Sequence, residues 1–165
     1  MAIRQLVAVL DSGFYERYFF VILLDRRTVP VQEEVAKLIR GKHRFVLGVA
    51  IEEIEAWWLG DRTNTLKWSG LKSNALAHCV YGDGRYQAER DPKPKTTLDE
   101  LTRHSVQFGV CYGDGNLDLA TQFAEDYWRR DARLDEITTQ CPRGFARFQA
   151  EVTQRFRAAA RRSRR

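Results

Sequence analysis

Cysteine is scarce: Cys79, Cys111 and Cys141 are the only three in 165 residues, and no two form a CxxC pair. An odd, widely spaced set is neither a zinc site nor a disulfide framework, so reduced thiols in a cytoplasmic protein are expected. Four prolines and eleven glycines are too few for a disordered or fibrous chain. The longest apolar run, Tyr18 to Leu24, falls far short of a bilayer span. The first residues carry no apolar h-region with a small-residue cleavage site, so no signal peptide and no membrane partner are expected. His43, His78 and His104 stand at no metal-ligand spacing from one another or from a cysteine. GxSxG, Walker and GxGxxG patterns are missing, which removes the usual signals of serine hydrolases, P-loop ATPases and dinucleotide enzymes.

What is present suits one folded domain. Hydrophobic residues make up 44% and charged residues 30%, with four tryptophans, six tyrosines and nine phenylalanines to fill a core. The net charge of +5 is a matter of one end. Residues 157–165 hold five arginines, including Arg161, Arg162, Arg164 and Arg165; without them the basic residues equal the 22 acidic ones. We therefore divide the chain into a neutral α/β domain, residues 1–156, and an Arg-rich tail, residues 157–165. The tail offers phosphate affinity through counterion release. It reads equally well as a solvated helix end whose cations suit the helix dipole.

Three β-rich runs of strand length, Ile3–Leu10, Tyr18–Leu24 and Arg44–Ala50, predict strands. Seven residues link the first two, too few for a crossover helix, so an antiparallel pair is expected there. Between the second and third, Val31, Val35, Leu38 and Ile39 form a helical stripe and Gly41 marks its stop, which predicts a parallel crossover. The second half reads as helical. Thr97 to Glu100 has capping-box spacing, Asn116 opens a helix to about Arg130, and Pro142 suits the first turn of a last helix with Phe145, Phe148, Val152 and Phe156 on one stripe. The polar stretch Gly82–Lys95 is expected to be an exposed loop. Tyr-Gly-Asp-Gly occurs at Tyr81 and again at Tyr112 with unrelated flanks, which we read as reuse of a turn.

The acidic residues carry the chemistry. Asp25 follows directly on a strand, where sites gather in open α/β sheets; the alternative is a strand-ending turn. In Ala50–Asp61, helical steps of about 100° put Ile51, Ile54, Trp58 and Leu59 on one arc. Glu55 falls inside that arc, Glu52 at its edge and Glu53 on the far side. A carboxylate against apolar surface needs a cation, a donor or a metal. An ion pair with another element and a metal or catalytic role both stay open. Of Trp57 and Trp58, Trp58 is expected to be the buried anchor.

The order FFVILLDRR, VAIEEIEAWWLGD, DPKPKTTLDEL, NLDLATQFAEDYW and CPRGFARF resembles the small bacterial Toprim-like domains. These are often encoded beside ABC-type or AAA ATPases and are distantly similar to overcoming-lysogenization-defect nucleases. The resemblance spans roughly Tyr18 to Phe156, and its Glu-Ala-Trp segment is the most specific part. It implies a Toprim-like core, a short and partly parallel sheet flanked by helices. It also implies carboxylates holding Mg²⁺ or Mn²⁺ for phosphodiester cleavage, and an ATPase partner in genome defence or DNA repair. By position Asp25 matches the first Asp of the family's Asp-x-Asp pair, and Glu53 and Glu55 match its recurrent glutamates. Asp25 and Glu55 are thereby the catalytic candidates, and Asp25, Glu53, Glu55 and Asp11 the metal candidates. Two departures are plain: Arg27 replaces the second Asp, and Asp11-Ser12-Gly13 is a shortened version of the opening unit, with Asp for Glu. The residues also admit a non-catalytic interaction module that docks on a partner protein.

Overall fold

The computed structural model describes residues 4–5, 8–9, 12, 19–25, 29–42, 44–51, 53–71, 81, 85–103, 112–113 and 117–162. Strand β1 (Phe20–Asp25), helix α1 (Val29–Ile39) and strand β2 (Phe45–Ala50) come first, and the strands pair in parallel with Phe20 opposite Phe45 and Asp25 opposite Ala50. The expected crossover is therefore present. Its helix works through the predicted stripe: Val35 and Ile39 are buried with Phe45, and Val31 and Leu38 pack beside Phe20, Ile22, Leu24 and Leu47. Gly41, at φ 78°, takes the left-handed conformation that ends a helix cheaply only in glycine.

Every described element after β2 is helical. Helix α2 (Ile54–Gly60) is followed by α3 (Arg62–Ser69), a 3₁₀ turn (Ala88–Arg90) and α4 (Pro94–Arg103). Helix α5 (Leu117–Phe123) runs on through a π-helical turn (Ala124–Trp128) into Arg129–Asp131; α6 (Leu134–Gln140) and α7 (Phe145–Arg162) are the last described elements. No described helix is long and apolar enough to cross a membrane. The main core gathers around α2, of which Glu55 through Gly60 are all buried. Trp57 stacks on Phe148 and meets the edge of Phe145, while Trp58 packs against Tyr112 and Phe123. Both tryptophans are anchors, and Trp57, at 1% exposure against 8%, is the deeper. Helix α7 crosses the sheet face opposite α1. A Cβ on Gly48 would lie 2.5 Å from Leu23 Cδ2 and 2.8 Å from Phe148 Cδ2, so glycine is what lets α7 sit so close.

Several expectations are corrected. Within Ile3–Leu10 the described residues Arg4, Gln5, Ala8 and Val9 are helical. A short apolar run fits either period, and the antiparallel pair expected from it falls too: the described sheet is β1 and β2 alone. Helix α4 starts at Pro94, so Thr97 lies inside it. Asp91 instead braces the approach to the helix, accepting from Lys93 N at 2.8 Å and Thr97 Oγ1 at 2.6 Å. In the supposed exposed loop, Ala88 and Glu89 are buried because that turn packs on α2. Pro142 precedes α7 rather than opening it. Phe156 is 62% exposed, with Phe19 at its edge. Asn116, the three histidines, Cys79 and Cys111 lie outside the described residues. Cys141 is buried and free, and burial with the nearby Glu89 charge pushes its thiol up to about 12.

Candidate acidic site at the sheet edge

The parallel register puts Asp25 and Ala50 side by side at the carboxyl end of the sheet, adjacent strands lying about 4.8 Å apart. Glu53 follows three residues later in extended backbone (φ −153°, ψ 165°), and Glu55 sits in the first turn of α2. Of Asp25 only the backbone is described. Asp11, Glu52, Arg27, Arg164 and Arg165 lie outside the described residues, Arg161 is exposed on α7, and Arg162 ends that helix.

Four acids are buried among the described residues: Glu53, Glu55, Asp61 and Glu89. Three of them hold helix starts. Glu53 accepts from Lys95 N at 3.3 Å in the first turn of α4, and its other oxygen is 3.7 Å from Lys95 Nζ. Asp61 caps α3 through Asn64 N at 3.4 Å and Asn64 Nδ2 at 3.0 Å. It also takes Arg133 N, ahead of α6, at 3.2 Å. Burial still pushes the Asp61 carboxyl above its ordinary range, only partly offset by these donors. Glu89 accepts from Arg143 N at 3.0 Å, Arg143 Nε at 3.1 Å and Gly144 N, just ahead of α7. Backbone N–H groups at a helix start are unsatisfied and partly positive, which makes a buried carboxylate tolerable there.

Glu55 has no such employment. Its Oε1 accepts from Tyr112 Oη at 2.8 Å, and its Oε2 is buried with no hydrogen-bond partner. Tyr112 is fixed in turn by α4, through Tyr112 N to Thr102 Oγ1 at 2.7 Å and Gly113 N to Asp99 Oδ1 at 2.6 Å. Burial, reinforced by the bond to Glu55, pushes the Tyr112 hydroxyl above its ordinary range, so at neutral pH it remains a donor. No group of three His, Cys, Asp or Glu stands together among the described residues.

The placement of Glu55 inside an apolar arc agrees with the sequence. Glu53, expected on the far side of a helix, is buried because α2 begins after it and α4 covers it. Lys95, Tyr112 and Glu89 were missed. Tyr112 alone had a signal, the repeated Tyr-Gly-Asp-Gly. Tyr81 donates to Leu59 O at 3.0 Å as Tyr112 donates to Glu55, so both copies anchor a tyrosine on α2. Compared with known proteins, the chain matches no family model, no curated protein and no solved structure.

Proposed function

We propose that the chain is a Toprim-like, metal-dependent nuclease, or a degenerate descendant that keeps the ion-binding carboxylates, with nucleic acid as substrate and an ATPase as partner. The observation that carries this reading is the Oε2 atom of Glu55, a buried carboxylate oxygen with no donor in the first turn of the helix that follows β2. Such an oxygen is costly unless a cation meets it. Mg²⁺ and Mn²⁺ prefer hard anionic oxygens and accept one or two carboxylates with water in the remaining positions. Glu55 Oε2 fits such an ion on those grounds, and Glu55 with Asp25 and Glu53, the positions that the resemblance names, would hold it. The ion would supply Lewis-acid polarisation of a phosphoryl oxygen.

The remaining work belongs to the chain. Tyr112, held protonated, engages Glu55 Oε1 and so leaves Oε2 as the presented atom. Lys95, with its side chain 42% exposed, is the cation that an arriving phosphate meets, while its partner Glu53 is buried.

The test is thermal unfolding with millimolar Mg²⁺ or Mn²⁺. An ion at a hundred times its Kd stabilises by about 2.7 kcal/mol, which in a chain of this size raises Tm by several degrees. Glu55→Gln and Asp25→Asn should each remove that gain, together with any metal-dependent cleavage of DNA or RNA. An equal gain in Glu55→Gln overturns the site, and no gain in the unaltered protein favours the non-catalytic interaction module.

A further inference from the structure

No described segment pairs with the second edge of β2, where Gly144 lies close to the carbonyl of Val49. Phe20 N donates to Arg44 O at 2.7 Å, and with the parallel register this turns the even-numbered residues of β2 toward β1. The N–H and C=O groups of Leu47 and Val49 therefore face away from β1, and neither residue bonds through its backbone to another described segment. They floor a groove of about 660 Å³ whose walls are α1 and α7. Four arginines line it, Arg40, Arg143, Arg147 and Arg155, against a single acid, Glu151. Arg155 is tied to Glu151 at 3.1 Å and Arg143 to Glu89, but Arg40 and Arg147 meet no carboxylate among the described residues.

We infer that this groove takes an extended, acidic segment of a partner protein, which adds as a strand to the free edge of β2. The floor offers alternating donors and acceptors, which only another peptide backbone matches in full. A nucleic-acid strand has phosphate acceptors that the carbonyls of Leu47 and Val49 repel. It would also need an aromatic platform, and Phe148 already gives a face to Trp57 at 5.4 Å. The arginine excess selects acidic side chains. Leu47 to Ile51 spans about 13 Å, the length of some four paired residues. The inference is independent of the metal site.

The probe is a labelled hexapeptide alternating Glu with Thr and Val, followed by fluorescence anisotropy, with amide hydrogen exchange of the protein read by NMR. Binding should slow exchange at Leu47 and Val49. Arg147→Glu and Arg40→Glu, both at exposed positions, should each weaken it on the order of tenfold without shifting Tm. N-methylation of the peptide at alternate residues should abolish binding in one register. Peptides N-methylated in the two registers that both bind as well as the parent, or unaltered exchange at both residues, overturn strand addition. So does an oligothymidylate of equal charge that binds with the same Arg147 dependence while the peptide does not.

Discussion

At the scale of the residue, the bond between Tyr112 and Glu55 is buried and the second Glu55 oxygen has no partner. Removing the hydroxyl in Tyr112→Phe leaves both Glu55 oxygens without a donor, and an unsatisfied buried charged group costs about 1–3 kcal/mol or more. Urea unfolding should show that loss in Tyr112→Phe alone. In a Glu55→Leu background, where no carboxylate remains to be stranded, the same change should cost clearly less. Equal costs in both backgrounds would mean that Glu55 does not depend on Tyr112. Glu55 was legible in the sequence because its own neighbours define an apolar arc. Its partner was not, since 57 residues separate the two and no local periodicity records such a distance.

At the scale of the element, helices here are started by carboxylates borrowed from elsewhere, and Asp61 makes that arrangement titratable. Its folded carboxyl lies above the ordinary value of 3.8 because of burial, so the folded state binds the proton more tightly than the unfolded chain does. The stability it contributes is thus complete below about pH 4 and is lost as pH rises through the raised folded value. The unfolding free energy of the protein minus that of Asp61→Asn should fall from pH 4 to pH 7; a difference that stays level or rises would refute the assignment. The same borrowing explains which elements the sequence announced. Helix α1 carries its own stripe and its own glycine stop, so it could be read from residues 29–41 alone. Helix α4 could not be placed correctly, because Asp91, which braces its approach, and the buried acid Glu53, which takes its Lys95 N–H, lie outside any local box. The run IRQLVAVL carries no such markers, and its described residues are helical where its apolar pattern fits a strand equally well.

At the scale of the whole molecule, the charge is concentrated at one end, and that end is dispensable to the core. Beyond Phe156, the described side chains at Arg157, Ala158, Ala160 and Arg161 are all exposed. Deleting residues 157–165 should shift Tm by no more than a couple of degrees, surface changes away from the core contributing about 0.5 kcal/mol. It should also bring the net charge from +5 to zero and flatten any salt dependence of DNA binding. A large drop in Tm would show that the tail packs.

Helix α2 also fixes when the molecule can be complete. It has seven residues, too short to persist alone. Contacts of this helix and its leading Glu53 reach Tyr81, Lys95, Tyr112 and Cys141, at sequence separations of 22, 42, 57 and 85 residues. Each closes a loop whose entropy must be met before burial rewards it. During synthesis the β1–α1–β2 unit can dock locally, but the tryptophan core must wait until Phe148, on which Trp57 stacks, has left the ribosome.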